Sequence, residues 1–314
     1  MHSVSDAQLF DIENVKRYQR NIWDKSYREG LYFSAMEELG EPIYINFGIR
    51  KHEYTELRWF KVPHAIHDGF SALKVLEKEE NFSLNLPELK SLKPKNWLKS
   101  ILFALKSTPV EEHRYKSQDA NVKGTSFDHL VLKLPLKSSK LSSTAILSNL
   151  ICKTLMQELS YNKVARWMVP VRLKNDDGMQ ASYIGLDVSL EDNENTLHKK
   201  LKDKLKNGEH WGFYFFSKIG LFLGKKAILN LTRKSILNTK TIWMGSISNL
   251  GNLGESKELE DLIVLHPVRF HRPLGVIVYE FNNQQIITIC FHKSLKEVDT
   301  DGIRDKVRSM YETY

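Results

Sequence analysis

The residues with the clearest chemical content are His64-Ala-Ile-His67-Asp68-Gly69. They put two imidazoles, a carboxylate and a glycine where a strand-like run gives way to a helical one. Imidazole is the side chain whose ordinary pKa lies nearest neutrality, so a histidine at such a junction is a candidate general base. A glycine beside it lets a ligand or a second backbone approach closely. The same residues have plainer readings: a packed histidine, a surface carboxylate, a helix start. His64, His67 and Asp68 also have the chemistry of metal ligands, but no distant cluster completes a site, and no metal is expected. Cys152 lies in the helical apolar pattern Leu150-Ile-Cys-Lys-Thr-Leu155, where a buried thiol is inert. Asp176-Asp177 and Glu191-Asp192 read as solvated loop carboxylates. His266 and His271 flank a proline-containing loop and receive no role.

The elements that must position the motif follow from periodicity. Tyr44 to Arg50 alternates with Ile45, Phe47 and Ile49 on one face, and Leu57 to Val62 reads as its partner strand after a polar turn. From Ser71, which reads as the cap, a helix runs through Ala72-Leu-Lys-Val-Leu-Glu-Lys78. Trp97 to Leu105 reads as a basic amphipathic helix and Phe127 to Pro135 as a strand. The polar stretch from Lys137 to Thr144 marks the lobe boundary, dividing the chain into residues 1–138, with the motif, and 139–314. Beyond it the spacing predicts helices at 144–159, 194–206 and 301–311, with strands at 164–172, 183–190, 242–247, 274–280 and 285–291. Strands and helices mixed in both halves predict an α/β or α+β fold. The aromatic run from Trp211 to Leu223 reads as core packing, as the wall of an acyl-chain channel, or as a segment dipping into a membrane interface.

The chain has 314 residues, with 46 Lys+Arg against 38 Asp+Glu, a net charge of +8, and two cysteines. That length suits two lobes, and two cysteines exclude a disulfide scaffold and a Cys-rich zinc module. The first residues lack a basic region followed by an apolar core, and no apolar run is long enough to span a bilayer, so a soluble cytoplasmic protein is expected. The positive charge is concentrated. Trp211 to Gly254 contains no acid and carries Lys218, Lys225, Lys226, Arg233, Lys234 and Lys240; Leu89 to Val110 contains no acid and carries five lysines. Such fields attract a phosphorylated co-substrate, an acidic protein or an anionic membrane surface. Nucleic acid is not expected, because no binding motif or basic–aromatic repeat accompanies the charge.

The spacing His64-x-x-x-Asp68-Gly69 resembles the active-site signature of the chloramphenicol acetyltransferase-like superfamily, whose members include coenzyme A-dependent acyltransferases, peptide-synthetase condensation domains and wax ester synthases. Three later segments match in order. Val169-Pro-Val-Arg172 is similar to the strand whose arginine pairs with the motif aspartate. Ser246-Ile-Ser248-Asn249-Leu-Gly251 resembles the segment that enters the site from the second lobe. Pro273 to Tyr279 with Ile286 to Phe291 resembles the final strand pair. The sequence departs from the pattern at Pro63, where many members have a second histidine, and only 63 residues precede the motif.

The resemblance implies two lobes, each a mixed sheet with helices, around an active-site channel, with the N-terminal lobe shortened. It implies an acyltransferase in which His64 takes a proton from a hydroxyl or amine acceptor that attacks an acyl thioester directly. Ser248 and Asn249 are the implied oxyanion donors, Asp68 pairs with Arg172, and Gly69 leaves room for the donor. Ser246 and Gly251 are implied substrate contacts, and Lys225 and Lys226 would attract donor phosphates. No resident cofactor is implied; acyl-coenzyme A or a phosphopantetheinyl carrier serves as co-substrate, with an acidic acyl carrier protein as a candidate partner, while peripheral membrane contact is a candidate from the aromatic run and its Lys-rich continuation alone. A condensation-type synthase working on carrier-bound substrates in trans, and a non-catalytic binding module, are alternatives from the same resemblance. The oligomeric state stays open.

Overall fold

The structure is a computed structural model describing residues 7–9, 31–87, 96–107, 118–119, 121–122, 124–137, 143–173, 181–237 and 243–313. It is a mixed α/β architecture built on two sheets. In the smaller, β2 (Tyr44–Lys51) and β3 (Arg58–Pro63) pair antiparallel with Tyr44 opposite Pro63. β1 (Gln8–Leu9) joins β3 in parallel and β8 (Leu259–Leu265) joins β2 antiparallel, giving the order β1-β3-β2-β8. No strand is expected at 259–265, because Glu260 and Asp261 interrupt its apolar run. Both acids are held by Arg50 of β2, at 2.9 and 2.5 Å.

The larger sheet has the order β4-β10-β9-β7-β5-β6. Its strands are β4 (Phe127–Pro135), β5 (Ala165–Arg172), β6 (Ala181–Val188), β7 (Gly245–Asn252), β9 (Leu274–Phe281) and β10 (Gln284–His292). β7 runs parallel to both neighbours; the other pairings are antiparallel. Each sheet takes one strand from across the expected boundary, β4 in the larger and β8 in the smaller. Residues 138–142, where that boundary is expected, lie outside the described residues, as do Asp176 and Asp177.

Two cores hold this frame. Against the larger sheet, α4 (Ser143–Glu158), α5 (Glu194–Asn207) and α8 (Thr300–Thr313) bury Leu150, Leu155, Leu197, Ile303 and Val307. Against the smaller, α2 (Gly69–Glu80) buries Ala72, Leu73 and Leu76 on Ile45, Phe47 and Phe60, with Ile277 and Tyr279 of β9 in the same cluster. Each such fully buried leucine contributes roughly 2 kcal/mol, so α2 is anchored where the motif ends. The remaining helices are α1 (Leu31–Glu38), α3 (Trp97–Ser107), α6 (Glu209–Phe222) and α7 (Lys225–Leu237). The aromatic run is therefore helical, and it breaks from α7 at Gly224, whose φ of +80° is the left-handed conformation that ends helices.

Candidate active site

The motif sits where β3 leaves the smaller sheet. The backbone N–H of His64 donates to the Ile43 carbonyl, which holds the loop against the start of β2. The chain then turns, and Asp68 rather than Ser71 caps α2: the Ser71 N–H donates to Asp68 Oδ1 at 3.0 Å. A carboxylate at this position satisfies an otherwise unpaired helix N–H and interacts favourably with the helix dipole, so the helix starts three residues earlier than the Ser71 cap implies. The same oxygen accepts from Arg172 Nη1 at 3.2 Å, and both side chains are under 8% exposed. Arg172, at the end of β5, also lies 5.4 Å from the Phe70 ring. Asp68 thus joins the first turn of α2 to the larger sheet. Gly69 is closely packed at the same place: a Cβ there would lie 3.2 Å from Leu250 Cδ2 of β7, which would have to shift by a few tenths of an ångström.

The larger sheet forks beside the motif loop. β7 follows β9 from Gly245 to Asn252 but touches β5 only at Gly245 and Ser246, opposite Trp167 and Met168. Past that point β5 and β7 part, and Pro170, which has no N–H to donate to a ladder, faces the gap. The gap is a cavity of about 120 Å³. His64, Asp68 and Gly69 close one side; Met168 and Pro170 of β5, Ser248 and Leu250 of β7, Tyr183 of β6, and His266 and Arg272 complete it. Ligand cavities for drug-sized molecules run to about 300–1,000 Å³, so this one accommodates a reacting centre and not a whole donor.

The His64 ring is fixed in one orientation. Its Nδ1 lies 2.8 Å from the His67 carbonyl oxygen, an acceptor only, so Nδ1 carries the proton and Nε2 keeps the lone pair. The loop's own carbonyl, and not Asp68, orients the ring. Desolvation pulls the His64 pKa down to about 4, opposed by that hydrogen bond and helped by the charges of Arg272 and His67. His266 is held in the same tautomer by the Pro267 carbonyl at 2.9 Å, and its Nε2 accepts from the Ser246 hydroxyl at 2.5 Å. Burial, then Arg272, lower its pKa to about 3. Two neutral imidazoles and a guanidinium therefore share the cavity. Among the described residues no group of three or more His, Cys, Asp and Glu is arranged to hold a metal.

The remaining sequence-predicted residues divide. Ser248 lines the cavity with His64. Asn249, the next residue on an alternating strand, is not part of its lining; its Nδ2 donates to Thr144 Oγ1 and its Oδ1 accepts from the Gly251 N–H. Gly251 sits at the β7 bulge with φ +73°. Ser246 is fully buried beneath the cavity, on His266. Lys225 pairs with Glu38 of α1 at 2.5 Å, and neither it nor Lys226 lines the cavity. Sequence reasoning missed His266, Arg272, Met168 and Tyr183. Only His266 carried a signal, as a histidine closing an apolar run. A groove of about 360 Å³ lies beyond Pro267, which lines it and the cavity both; Tyr44, Asn46, Lys61, Thr125, Ser126 and Lys293 line it too.

No family model matches the chain, and no curated protein matches it in sequence. Solved structures do. A starter condensation domain of rhizomide synthetase RzmA, a mutant in complex with C8-CoA, aligns with 82% of this chain and 65% of its own at a TM-score of 0.51 and 10% identity. Another mutant of that domain, with C8-CoA and Leu-SNAC, gives 81%, 65%, 0.50 and 10%. The chain has the condensation-domain fold. A wax ester synthase/diacylglycerol acyltransferase from Marinobacter aquaeolei VT8 also aligns, over 81% of this chain and 67% of its own, at a TM-score of 0.48 and 13% identity. The chain spans about two thirds of the length of these structures.

Proposed function

We propose that this protein is an acyltransferase that moves an acyl group from a thioester to a hydroxyl or amine acceptor in the cavity between β5 and β7. The observation that carries the reading is His64: a neutral imidazole, fixed by the His67 carbonyl with Nε2 unprotonated, lining the cavity where β5 and β7 part. His64 Nε2 takes the acceptor's proton as the acceptor oxygen or nitrogen attacks the thioester carbonyl carbon. The carbonyl π pair moves to oxygen, and the Ser248 hydroxyl donates to that oxyanion. When the tetrahedral intermediate collapses, the C–S bond breaks and the departing thiolate receives the proton from His64. No acyl-enzyme forms. Asp68, Arg172 and Gly69 hold the loop in place, and Asn249 positions β7 rather than touching substrate.

The reading extends to organisation. The lobes are residues 1–138 and 139–314, the donor is acyl-coenzyme A or an acyl carrier, and the site of action is the cytoplasm. Support for a coenzyme A donor comes from the rhizomide synthetase domain, a fold neighbour captured with C8-CoA. The groove lined by Lys61 and Lys293 is the place for the donor's phosphates, since it abuts the cavity at Pro267 and carries two lysines, Lys293 lying 3.9 Å from Asp128, together with Tyr44, Thr125 and Ser126. Native mass spectrometry against a panel of acyl-coenzyme A esters tests the donor. A bound ester in the parent, retained in His64→Ala, is expected; absence of any bound ester would rule out coenzyme A as the carrier of the acyl group.

A further inference from the structure

Helices α3, α6 and α7 expose apolar side chains that their packing does not use. Trp97, Leu98, Leu102 and Leu105 on α3, Ile219 and Phe222 on α6, Leu223 beyond it and Leu231 on α7 range from 45% exposed at Ile219 to 90% at Phe222. On α3 the three leucines fall at i, i+4 and i+7, a single stripe. That stripe is not the helix's packing face. Ser100 and Ala104 meet α6 instead, so closely that a Cβ on Gly212 would lie 2.2 Å from the Ser100 carbonyl oxygen. α6 packs in turn on α7. Single exposed leucines are ordinary on a protein surface; eight large apolar residues on and between three helices, with α6 packed against each of the other two, form a surface that a partner can cover.

Charge says which partner. The two stretches that hold these helices, Leu89 to Val110 and Trp211 to Gly254, contain no Asp or Glu, with five cationic residues in the first and six in the second. Lys99, Lys226, Arg233 and Lys234 are exposed among the apolar residues. A second copy seated on this face would bring like charges together. A lipid surface of negative charge satisfies both features, since the apolar side chains enter the interface while the cations stay at the headgroup phosphates. No helix among the described residues is long and apolar enough to cross a membrane, so the contact is interfacial. We infer that the α3–α6–α7 face docks this protein on anionic bilayers. The inference rests on the surface alone and is independent of the chemistry assigned to His64.

Co-sedimentation with vesicles tests it, using phosphatidylcholine alone and a phosphatidylcholine–phosphatidylserine mixture at low and high salt. The parent is expected to sediment with the mixture, to stay in solution with phosphatidylcholine alone, and to be released by salt. Phe222→Ser removes one aromatic anchor and lowers the partition coefficient roughly tenfold. Arg233→Glu/Lys234→Glu reverses two charges near the surface and lowers it by about tenfold or more. Both substitutions lie at exposed positions, and unchanged melting curves establish that the variants are folded. Equal partitioning of parent and variants, equal binding to both vesicle types, or no sedimentation at all would overturn the inference. So would loss of a self-associated species in Phe222→Ser without any vesicle binding, which would make the face a contact between copies.

Discussion

Asp68 does two jobs with one oxygen, and they can be separated by mutation. Asp68→Asn keeps a side-chain carbonyl to accept the Ser71 N–H, and asparagine is as good an N-cap as aspartate. It removes the negative charge that faces Arg172 at 3.2 Å, where both side chains are under 8% exposed. Removing one partner of a buried pair costs about 3–5 kcal/mol, because the remaining charge stays desolvated. Asp68→Asn is therefore expected to lower unfolding free energy by about 3 kcal/mol. Asp68→Ala also loses the cap, and is expected to cost about 1 kcal/mol more. Asp68→Asn/Arg172→Met replaces the pair with neutral groups and is expected to recover most of the loss, leaving a deficit of about 1 kcal/mol. Urea denaturation of the parent, Asp68→Asn, Arg172→Met and the double variant, followed by tryptophan fluorescence, closes the double-mutant cycle. A coupling energy below about 0.5 kcal/mol, or a double variant no more stable than Asp68→Asn, would refute the claim that this ion pair ties the motif loop to β5.

Other predictions follow from the same geometry. With His64 neutral down to about pH 4, kcat/KM should stay level as pH falls from 8 to about 5; an inflection near the ordinary imidazole value of about 6.5 would contradict the desolvated environment. His266 has its folded-state pKa lowered to about 3, so the unfolded chain binds its proton first and stability falls as pH drops below about 6.5. From His266 alone the loss by pH 5 is on the order of 2 kcal/mol, measurable as a lower urea midpoint, and a midpoint unchanged from pH 7 to 5 would contradict it. Lys61→Glu/Lys293→Glu should raise KM for a coenzyme A ester about tenfold with kcat little changed; an unchanged KM would remove the groove from the donor's path.

The strands and helices around the motif were legible because their apolar periodicity is strong, as at Ile45, Phe47 and Ile49, which are all buried. β8 was not legible, because its two acids answer to Arg50 on another strand and only the pairing makes sense of them. The cap moved from Ser71 to Asp68 for a local reason, two good capping residues three apart, where the carboxylate oxygen wins the Ser71 N–H. Within the site, His64, Asp68, Gly69, Arg172 and Ser248 are spaced by a pattern that can be read in one dimension. Asn249 looked equivalent to Ser248, but strand alternation turns it toward Thr144. His266 and Arg272 reach the cavity from the β8–β9 connection, a consequence of topology with no sequence spacing to announce it.

The central claim is that His64 is the base for acyl transfer from a thioester. The most direct test is release of free thiol from acyl-coenzyme A esters, with and without a panel of alcohol and amine acceptors, in the parent and in His64→Ala. The account predicts acceptor-dependent thiol release by the parent, reduced by roughly 10²–10⁴-fold in the variant, with urea midpoints showing that the variant remains folded. Thiol release that proceeds at the same rate in both proteins would contradict it.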